Sequence, residues 1–249
     1  MRSPVFLQSA LNGERFHAGA PRNAAAIAAA ARAAVDAGAH SVHVHAFDEA
    51  GRETLDGAEC GKVLRAIRAL CPGVPVSLTT SAAIVADPVE RFRMVEAWEE
   101  LPELVTANQG EAGIVELCEM SLRRGVGIEA GLLSVEDARA FVRSGLAGRC
   151  RRVLMEPLDA DVEIALRHAA EMEAIVTAAG ITLEQVHHGE GIACWAVNRR
   201  ALERGHGIRT GLEDVTVLPD GREARDNGEL VRAAVGLIET FARGGLNPP

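Results

Sequence analysis

Two histidines in the stretch SVHVHAF, residues 41–47, have a spacing that suits metal binding. The stretch is short and apolar, which indicates a buried β-strand. Because side chains alternate along a strand, His43 and His45 point to the same face. Two neutral imidazoles on one face can converge on a single Zn²⁺. We therefore predict a metal site, the alternative being a pair of ordinary core histidines.

A third metal ligand must come from another strand, because a catalytic zinc commonly has three protein ligands and one open position. Two donors stand at the ends of later strand-like segments. Glu213 ends the last segment, which closure of a barrel brings beside the first segment, with the second just beyond. His187 or His188 ends the preceding segment and is the competing donor. The residues alone leave both donors open.

Strand-like and helix-like segments alternate along the chain, and eight such pairs in about 250 residues predict a (β/α)8 TIM barrel. We find no insertion long enough for a second domain, so residues 1–249 are predicted to form one. A doubly wound open sheet is the competing architecture, but it does not need eight regular repeats. The strand-like segments are 4–12, 41–47, 75–81, 103–109, 126–132, 151–157, 184–191 and 207–214, and the helix-like segments are 23–39, 57–71, 87–100, 112–125, 134–145, 159–180, 192–205 and 227–244.

A TIM barrel carries its catalytic groups at the carboxyl ends of its strands. Each predicted strand end here has at least one polar side chain able to act on a substrate, which a purely structural barrel would not need. We therefore expect an enzyme. These side chains are Asn12, Glu14, His43, His45, Asp48, Thr79, Thr80, Ser81, Thr106, Asn108, Glu129, Glu156, His187, His188, Glu190, Arg209, Glu213 and Asp214.

Composition and charge exclude several classes of protein. The 249 residues carry a net charge of −9, no tyrosine and no basic patch, so we expect no nucleic-acid partner. No stretch approaches the roughly 20 apolar residues of a membrane span, and the apolar run at the N-terminus is too short for a signal peptide. The five cysteines lack CxxC spacing, which argues against a disulfide framework and favours a cytoplasmic location.

The number of lysines in the chain argues against catalysis by a lysine side chain. Lys62 is the only lysine in the chain, and it lies in a helix-like segment where we expect it to be solvated. Schiff-base aldolases and pyridoxal enzymes need a lysine inside the active site. We therefore do not expect lysine-based carbon–carbon chemistry in this chain.

Four segments resemble the β-keto acid cleavage enzymes, a family long catalogued as a domain of unknown function. They are SALNGER, AGAHSVHVHAFDEAGRET, LPELVTANQGEAG and IRTGLED. The resemblance covers nearly the whole chain. It implies a TIM barrel and a divalent metal, usually zinc, held by His43, His45 and Glu213. It also implies a retro-Claisen reaction in which a β-keto acid and acetyl-CoA yield acetoacetate and a new CoA thioester, and a homo-oligomer, either a tetramer or a dimer.

The resemblance implies further site residues. Arg209 and Asp214 match an Arg and an Asp that flank the metal-binding Glu. Asp214 would act as a base, directly or through a hydroxyl, and Arg209 would clamp the substrate carboxylate or hold Asp214. The remaining matches are a hydroxyl on the third strand, a threonine on the fourth, an acid on the fifth and an acid in the first loop, which here are Thr79, Thr106, Glu129 and Glu14.

The sixth strand departs from the family pattern. Longer members carry a glycine-rich loop there that helps to accommodate the second substrate, whereas this chain has LMEPLDAD without glycine. An acid at Glu156 would repel an anionic substrate or CoA unless it is paired. Two other functions therefore stay open: a metal-dependent hydrolase or lyase that does not use CoA, and a non-catalytic ligand-binding barrel. The amidohydrolase pattern fits less well, because the fourth to sixth strands contain no histidine.

Overall fold

Eight parallel strands form a closed barrel in the computed structural model, which describes residues 5–244. The first strand pairs with both the second and the eighth, which closes the sheet. The prediction of a (β/α)8 TIM barrel is confirmed. The strands are β1 (Leu7–Ala10), β2 (Ser41–Val44), β3 (Val76–Thr79), β4 (Leu104–Asn108), β5 (Gly127–Leu132), β6 (Arg152–Met155), β7 (Glu184–His187) and β8 (Gly207–Thr210).

A helix follows each strand and covers the outside of the barrel. Every residue of β1, β2, β3, β6 and β8 is buried, as expected for parallel strands that lie between a filled interior and a layer of helices. The helices are α1 (Ala24–Asp36), α2 (Gly57–Leu70), α3 (Pro88–Glu96), α4 (Ile114–Arg123), α5 (Val135–Ser144), α6 (Val162–Ala178), α7 (Ala193–Glu203) and α8 (Asn227–Gly244).

Local capping residues explain where two of the helices begin. Asp87 accepts hydrogen bonds from the first backbone N–H groups of α3, and Pro88 occupies the position whose N–H would otherwise have no partner. Ser134 accepts from the N–H of Asp137, whose carboxylate in turn accepts from the Ser134 hydroxyl. Both helices begin within one residue of the start of the predicted segments 87–100 and 134–145.

The predicted strand 41–47 is wrong in its second half. β2 ends at Val44, and residues 46–47 instead pair antiparallel with residues 53–54 in a short hairpin. The Asn12 side chain explains the break. Its carbonyl oxygen accepts from the backbone N–H of His45 at 2.8 Å, and its amide donates to the His45 carbonyl at 3.1 Å. With both backbone groups bound to Asn12, His45 leaves the sheet just above β2.

The end of β8 lies unusually close to β1. A side chain at Gly211 would overlap the carbonyl group of Ala10, and a Cβ at Gly13 would lie 2.9 Å from Cγ of Glu213. Glycine at both positions therefore allows the segment after β8 to pack against β1, with Glu213 turned toward the barrel axis. Between residues 5 and 244, none of the helices combines the length and apolar character that a bilayer crossing requires.

Candidate active site at the barrel mouth

A cavity of about 400 Å³ opens at the carboxyl ends of the barrel strands, where catalytic groups of TIM barrels lie. Both polar and apolar groups line it, and carboxylates are the commonest charged groups among them. The lining residues are Gly13, Glu14, Arg15, His43, His45, Glu53, Thr79, Ser81, Ala83, Thr106, Asn108, Leu133, Glu156, Leu158, Glu190, Arg209 and Glu213.

Three side chains in this cavity converge as metal ligands do. Nε2 of His43 lies 3.5 Å from Oε2 of Glu213, and Nε2 of His45 lies 3.7 Å from Oε1 of Glu213. One donor atom from each of the three residues lies within 4.8 Å of the others. Oε2 of Glu213 is buried and has no hydrogen-bond partner among residues 5–244. A cation between the three groups would satisfy that oxygen.

The opposite ring nitrogens of the two histidines are held by other side chains. Nδ1 of His45 lies 2.9 Å from Oε1 of Glu53, and Nδ1 of His43 lies 3.1 Å from the hydroxyl oxygen of Thr106. Metal-binding histidines commonly donate their second nitrogen to a carboxylate or another oxygen, which fixes the ring orientation. Both Nε2 atoms are therefore oriented toward Glu213.

Electrostatics favour a positive charge beside Glu213. Burial lowers the pKa of His43 to about 3, so this imidazole is neutral. Burial also opposes a charge on His45, but Glu213 and Glu53 outweigh it and raise the pKa of His45 to about 9. Burial likewise opposes the charge on Glu213, but Arg209 and the two histidines hold the pKa of this carboxyl well below its usual range. The Glu213 carboxylate thus stays ionised and is available to bind a cation.

Arg209 connects three carboxylates with one nitrogen. Its Nη2 donates to Oε1 of Glu213 and to Oδ1 of Asp214, both at 2.7 Å, and lies 4.0 Å from Oε1 of Glu156. Its Nε donates to Oδ2 of Asp214 at 3.1 Å. Asp214 is only 2% exposed. Arg209 therefore holds Asp214, as one of the two sequence interpretations predicts.

The other predicted residues fall into two groups. Thr79 and Thr106 line the cavity, and Glu14 lies exposed at its rim. Glu129 and Asp214 do not line it. Glu129 is fully buried beneath the site, where its carboxylate accepts two hydrogen bonds from Gln8 at 2.9 and 3.1 Å and lies 3.4 Å from the Thr106 hydroxyl. Glu129 therefore reaches His43 only through Thr106.

The competing third donors do not join the pair of histidines. The ring of His187 stacks on His206 at 4.8 Å, and both rings group with Glu173. Arg200 and Arg204 already donate to that carboxylate at 2.6 and 2.7 Å. Because two guanidinium groups neutralise Glu173, this second cluster is a structural ion-pair network rather than an open metal site.

Two contacts at the site escape the sequence interpretation. Glu53, which orients His45, comes from the short hairpin after β2, and its only local signal is the strand–turn–strand pattern of AFDEAGRET. His188 lies 3.3 Å from Glu156, so the acid on the sixth strand is paired. The repulsion expected from an unpaired Glu156 is therefore reduced. No sequence spacing connects these two residues, which lie on different strands.

The sequence model of the family described as beta-keto acid cleavage enzyme (BKACE) matches residues 4–184 and 168–248. This chain belongs to that family. The chain is also 26% identical over 234 residues to a 3-keto-5-aminohexanoate cleavage enzyme of Fusobacterium nucleatum, covering 87% of this chain and 83% of that protein. A protein of the same name from Acetoanaerobium sticklandii is 23% identical over 228 residues, with coverages of 86% and 82%.

Solved structures support the same fold. The ternary complex of ObcA with a C4-CoA adduct and oxalate superposes with a TM-score of 0.73 at 18% sequence identity. The match covers 91% of this chain but only 64% of the ObcA chain. At this level of identity, the likeness establishes the barrel architecture alone.

Proposed function

We propose that this protein is a divalent-metal-dependent enzyme that cleaves a small β-keto acid by a retro-Claisen reaction, with acetyl-CoA as the second substrate. The products would be acetoacetate and a new CoA thioester. The observation that carries the proposal is the convergence of His43, His45 and Glu213 on one point of the cavity wall. Family membership and the names of the two relatives support the substrate class.

The donor set fits Zn²⁺, because two imidazole nitrogens and one carboxylate are a common set of three protein ligands at catalytic zinc sites. The unpartnered Oε2 of Glu213 and the fixed rings of His43 and His45 support this assignment. A divalent cation bound there would act as a Lewis acid toward a keto oxygen. Thr106 and Glu53 would keep both imidazoles in the ligating orientation.

The chain's own residues would bind the substrate next to this point. Arg209 lines the cavity. Its Nε already donates a hydrogen bond to Asp214, and its Nη2 donates one to Glu213. Its Nη1 makes no hydrogen bond to any of residues 5–244, so we assign this nitrogen to the substrate carboxylate. The hydroxyl groups of Thr79 and Thr106 would contact substrate oxygens from the neighbouring wall. Asp214 lies behind Arg209 and would act on the substrate only through another group.

The test is a cleavage assay with the purified chain, acetyl-CoA and a panel of β-keto acids that includes 3-keto-5-aminohexanoate. We expect acetoacetate and a new acyl-CoA in equal amounts, both detected by mass spectrometry. Removing the metal with a chelator should abolish both products, and added Zn²⁺ should restore them. Undiminished turnover in the metal-free protein would contradict the proposal.

One observation favours cleavage without CoA. Glu156 places an acid in the cavity wall at the end of β6, after which longer members of the family carry the loop that helps to accommodate the second substrate. Arg209, whose Nη2 lies 4.0 Å from Oε1 of Glu156, offsets part of that charge, so we keep acetyl-CoA in the proposal. Omitting acetyl-CoA from the same assay separates the two reactions. Cleavage to two carboxylic acids in its absence would establish the hydrolytic alternative.

We also propose a homo-oligomer, either a dimer or a tetramer, on the strength of the family resemblance. Light scattering of the purified chain measures the mass directly. A mass equal to one chain at all concentrations tested would contradict it.

A further inference from the structure

A second group of titratable side chains adjoins the same cavity, which it reaches through Glu156. His188 follows β7 and is fully buried, and its Nε2 lies 3.3 Å from Oε2 of Glu156. Its Nδ1 lies 3.5 Å from Oδ1 of Asp214. Neither ring nitrogen has a closer partner within residues 5–244. The imidazole therefore stands between two carboxyl groups.

The two carboxyl groups differ in their access to the cavity. The side chain of Glu156 is 16% exposed and lines the cavity, whereas that of Asp214 is 2% exposed and is covered by Arg209. Two hydrogen bonds from Arg209, at 2.7 and 3.1 Å, fix the Asp214 carboxylate. Asp214 can therefore influence a bound molecule only through His188 and Glu156, or through Arg209.

A metal ion is a poor occupant for this second group. Although one donor atom from each of Glu156, His188 and Asp214 lies within 4.8 Å of the others, Nη2 of Arg209 lies 2.7 Å from Asp214 and 4.0 Å from Glu156. The guanidinium group of Arg209 is permanently charged and already lies between these two carboxylates. What the arrangement offers instead is a pocket-facing carboxyl group backed by an imidazole and a fixed carboxylate, which suits proton transfer.

The surroundings of Glu156 support a role in proton transfer. Burial raises the pKa of this carboxyl, and the nearby His188 and Arg209 counteract part of the rise. A carboxyl group whose pKa lies above its ordinary value is a stronger base than an exposed glutamate.

We propose that Glu156 accepts the C2 proton of the bound β-keto acid, with His188 and Asp214 as positioning residues. This inference rests on the proposed function. The C–H bond at C2 breaks and its electron pair forms the C2–C3 double bond, while the carbonyl π pair moves onto the keto oxygen to give an enolate, and an O–H bond forms on Glu156. When acetoacetate is released, the same proton returns to its C2. The complete reaction therefore neither consumes nor produces a proton through this group.

The position of Glu156 suits this step. Its Oε1 shares Nη2 of Arg209 with Oε1 of Glu213, so the proton acceptor and the candidate metal ligand flank the same guanidinium group. A substrate carboxylate bound by Arg209 would lie next to both. The contacts of His188, at 3.3 and 3.5 Å, are longer than ordinary hydrogen bonds. Such contacts commonly shorten when substrate binds.

The experiment measures exchange of the C2 protons of acetoacetate with D2O by proton NMR, in the presence of the zinc-loaded protein and without CoA. Glu156→Gln should lower the enzyme-catalysed exchange rate by about 10²- to 10⁴-fold, the usual contribution of a general base. Glu156→Asp should restore part of it. His188→Gln should lower the rate by about 10- to 100-fold, because it displaces the acceptor.

Binding and metal content separate proton transfer from a structural effect. The dissociation constant of acetoacetate and the zinc content should stay within about threefold of the wild-type values in Glu156→Gln and His188→Gln. Glu163→Gln is the matched control, because it removes an exposed carboxylate in the first turn of α6, outside the cavity. Its exchange rate should change by less than about threefold.

Each alternative result has a definite meaning. Exchange that is as fast in Glu156→Gln as in the wild type overturns the role of Glu156 and leaves the proposed function intact. Equal losses in Glu156→Gln and Glu163→Gln also overturn it, because they indicate a general effect of charge. A zinc-loaded wild-type protein that neither exchanges the C2 protons nor cleaves any β-keto acid overturns both proposals.

Discussion

Two groups of histidine and acid side chains share contacts with Arg209 but are held to different degrees. In one group, His43 and His45 each have one ring nitrogen held at 2.9 to 3.1 Å by Thr106 or Glu53. In the other group, His188 has contacts of 3.3 and 3.5 Å to its two carboxyl neighbours and no ordinary hydrogen bond within residues 5–244. Fixed imidazoles suit the binding of an ion, whereas a loosely held imidazole between two acids suits the movement of a proton.

A third histidine–acid cluster shows what a purely structural arrangement looks like. Glu173 accepts charged hydrogen bonds from Arg200 and Arg204 and contacts His206, away from the cavity. Each charge there has a permanent partner. The difference teaches that the presence of histidine and glutamate together does not define a functional site in this chain. What distinguishes the cavity region is a Glu213 oxygen and an imidazole, that of His188, that make no hydrogen bond to any of residues 5–244.

The largest effect should follow from removing the guanidinium group of Arg209, which contacts carboxylates of both groups. Arg209→Met leaves the buried carboxylates of Glu213 and Asp214 without their guanidinium partner, and the free energy of unfolding should fall by about 3–5 kcal/mol. Urea denaturation of the metal-free protein measures this loss. Arg243→Met is the control, because its pair with Glu239 is exposed and should contribute less than about 1 kcal/mol. Similar losses in both variants would contradict the claim that Arg209 stabilises the buried carboxylates.

The constraint on the metal side can be broken at Glu53. Glu53→Gln replaces the carboxylate that holds Nδ1 of His45, so the affinity for Zn²⁺ should fall by about 10- to 100-fold. Competition with a chromophoric chelator gives the affinity. Glu49→Gln changes the charge by the same amount at an exposed position nearby and should have no comparable effect. Equal affinities for the wild type and Glu53→Gln would show that the carboxylate does not orient the ligand.

The role of the corresponding contact of His43 can be tested with a pair of variants. Thr106→Val removes the hydroxyl that faces Nδ1 of His43, and we expect an approximately tenfold weaker affinity for Zn²⁺. Thr106→Ser keeps the hydroxyl and should retain most of the affinity. If the two variants bind Zn²⁺ equally well, the hydroxyl has no role in orienting His43.

The structural cluster should respond to pH without affecting the cavity. Burial opposes ionisation of Glu173, but hydrogen bonds from Arg204, Arg200 and His206 prevail and lower its pKa to about 2. A lowered pKa stabilises the fold above the ordinary pKa of glutamate and this stabilisation disappears as pH falls toward 2. Glu173→Gln should therefore reduce the loss of stability between about pH 5 and pH 2 by about 1 kcal/mol after allowance for solvent screening. Thermal unfolding across this range checks the slope, and an unchanged slope would refute the assignment.

The smallest effect is expected at the only lysine. Lys62 is half exposed and pairs with Glu59 on the surface of α2. Lys62→Ala should change the free energy of unfolding by less than about 0.5 kcal/mol and leave β-keto acid cleavage unaltered. Loss of cleavage in this variant would point to Schiff-base chemistry and contradict the metal-dependent account.

Local sequence patterns predicted the architecture well for physical reasons. The strands are short and mostly buried, and residues such as Asp87 and Ser134 mark helix starts through contacts within a few positions. The candidate ligands could also be predicted from the sequence. His43 and His45 are two positions apart in the chain, and Glu213 lies in the segment IRTGLED that resembles the family.

The remaining features depend on contacts between distant parts of the chain. The break in the sheet at His45 comes from Asn12, 33 positions away. The pairing of Glu156 with His188 joins the ends of two neighbouring strands whose registry only the closed barrel fixes. Sequence spacing carries no information on these contacts, which is why the sequence alone left open whether Glu156 has a partner.

The most direct test of the account is the metal content of the purified chain, measured by plasma mass spectrometry in the wild type and two variants. We predict about one zinc ion per chain in the wild type and in His168→Ala, which changes a histidine on α6 outside the cavity. His43→Ala and Glu213→Ala should lose the ion. A wild-type protein that contains no metal and takes up no added zinc, or variants that retain a full equivalent, would contradict the account.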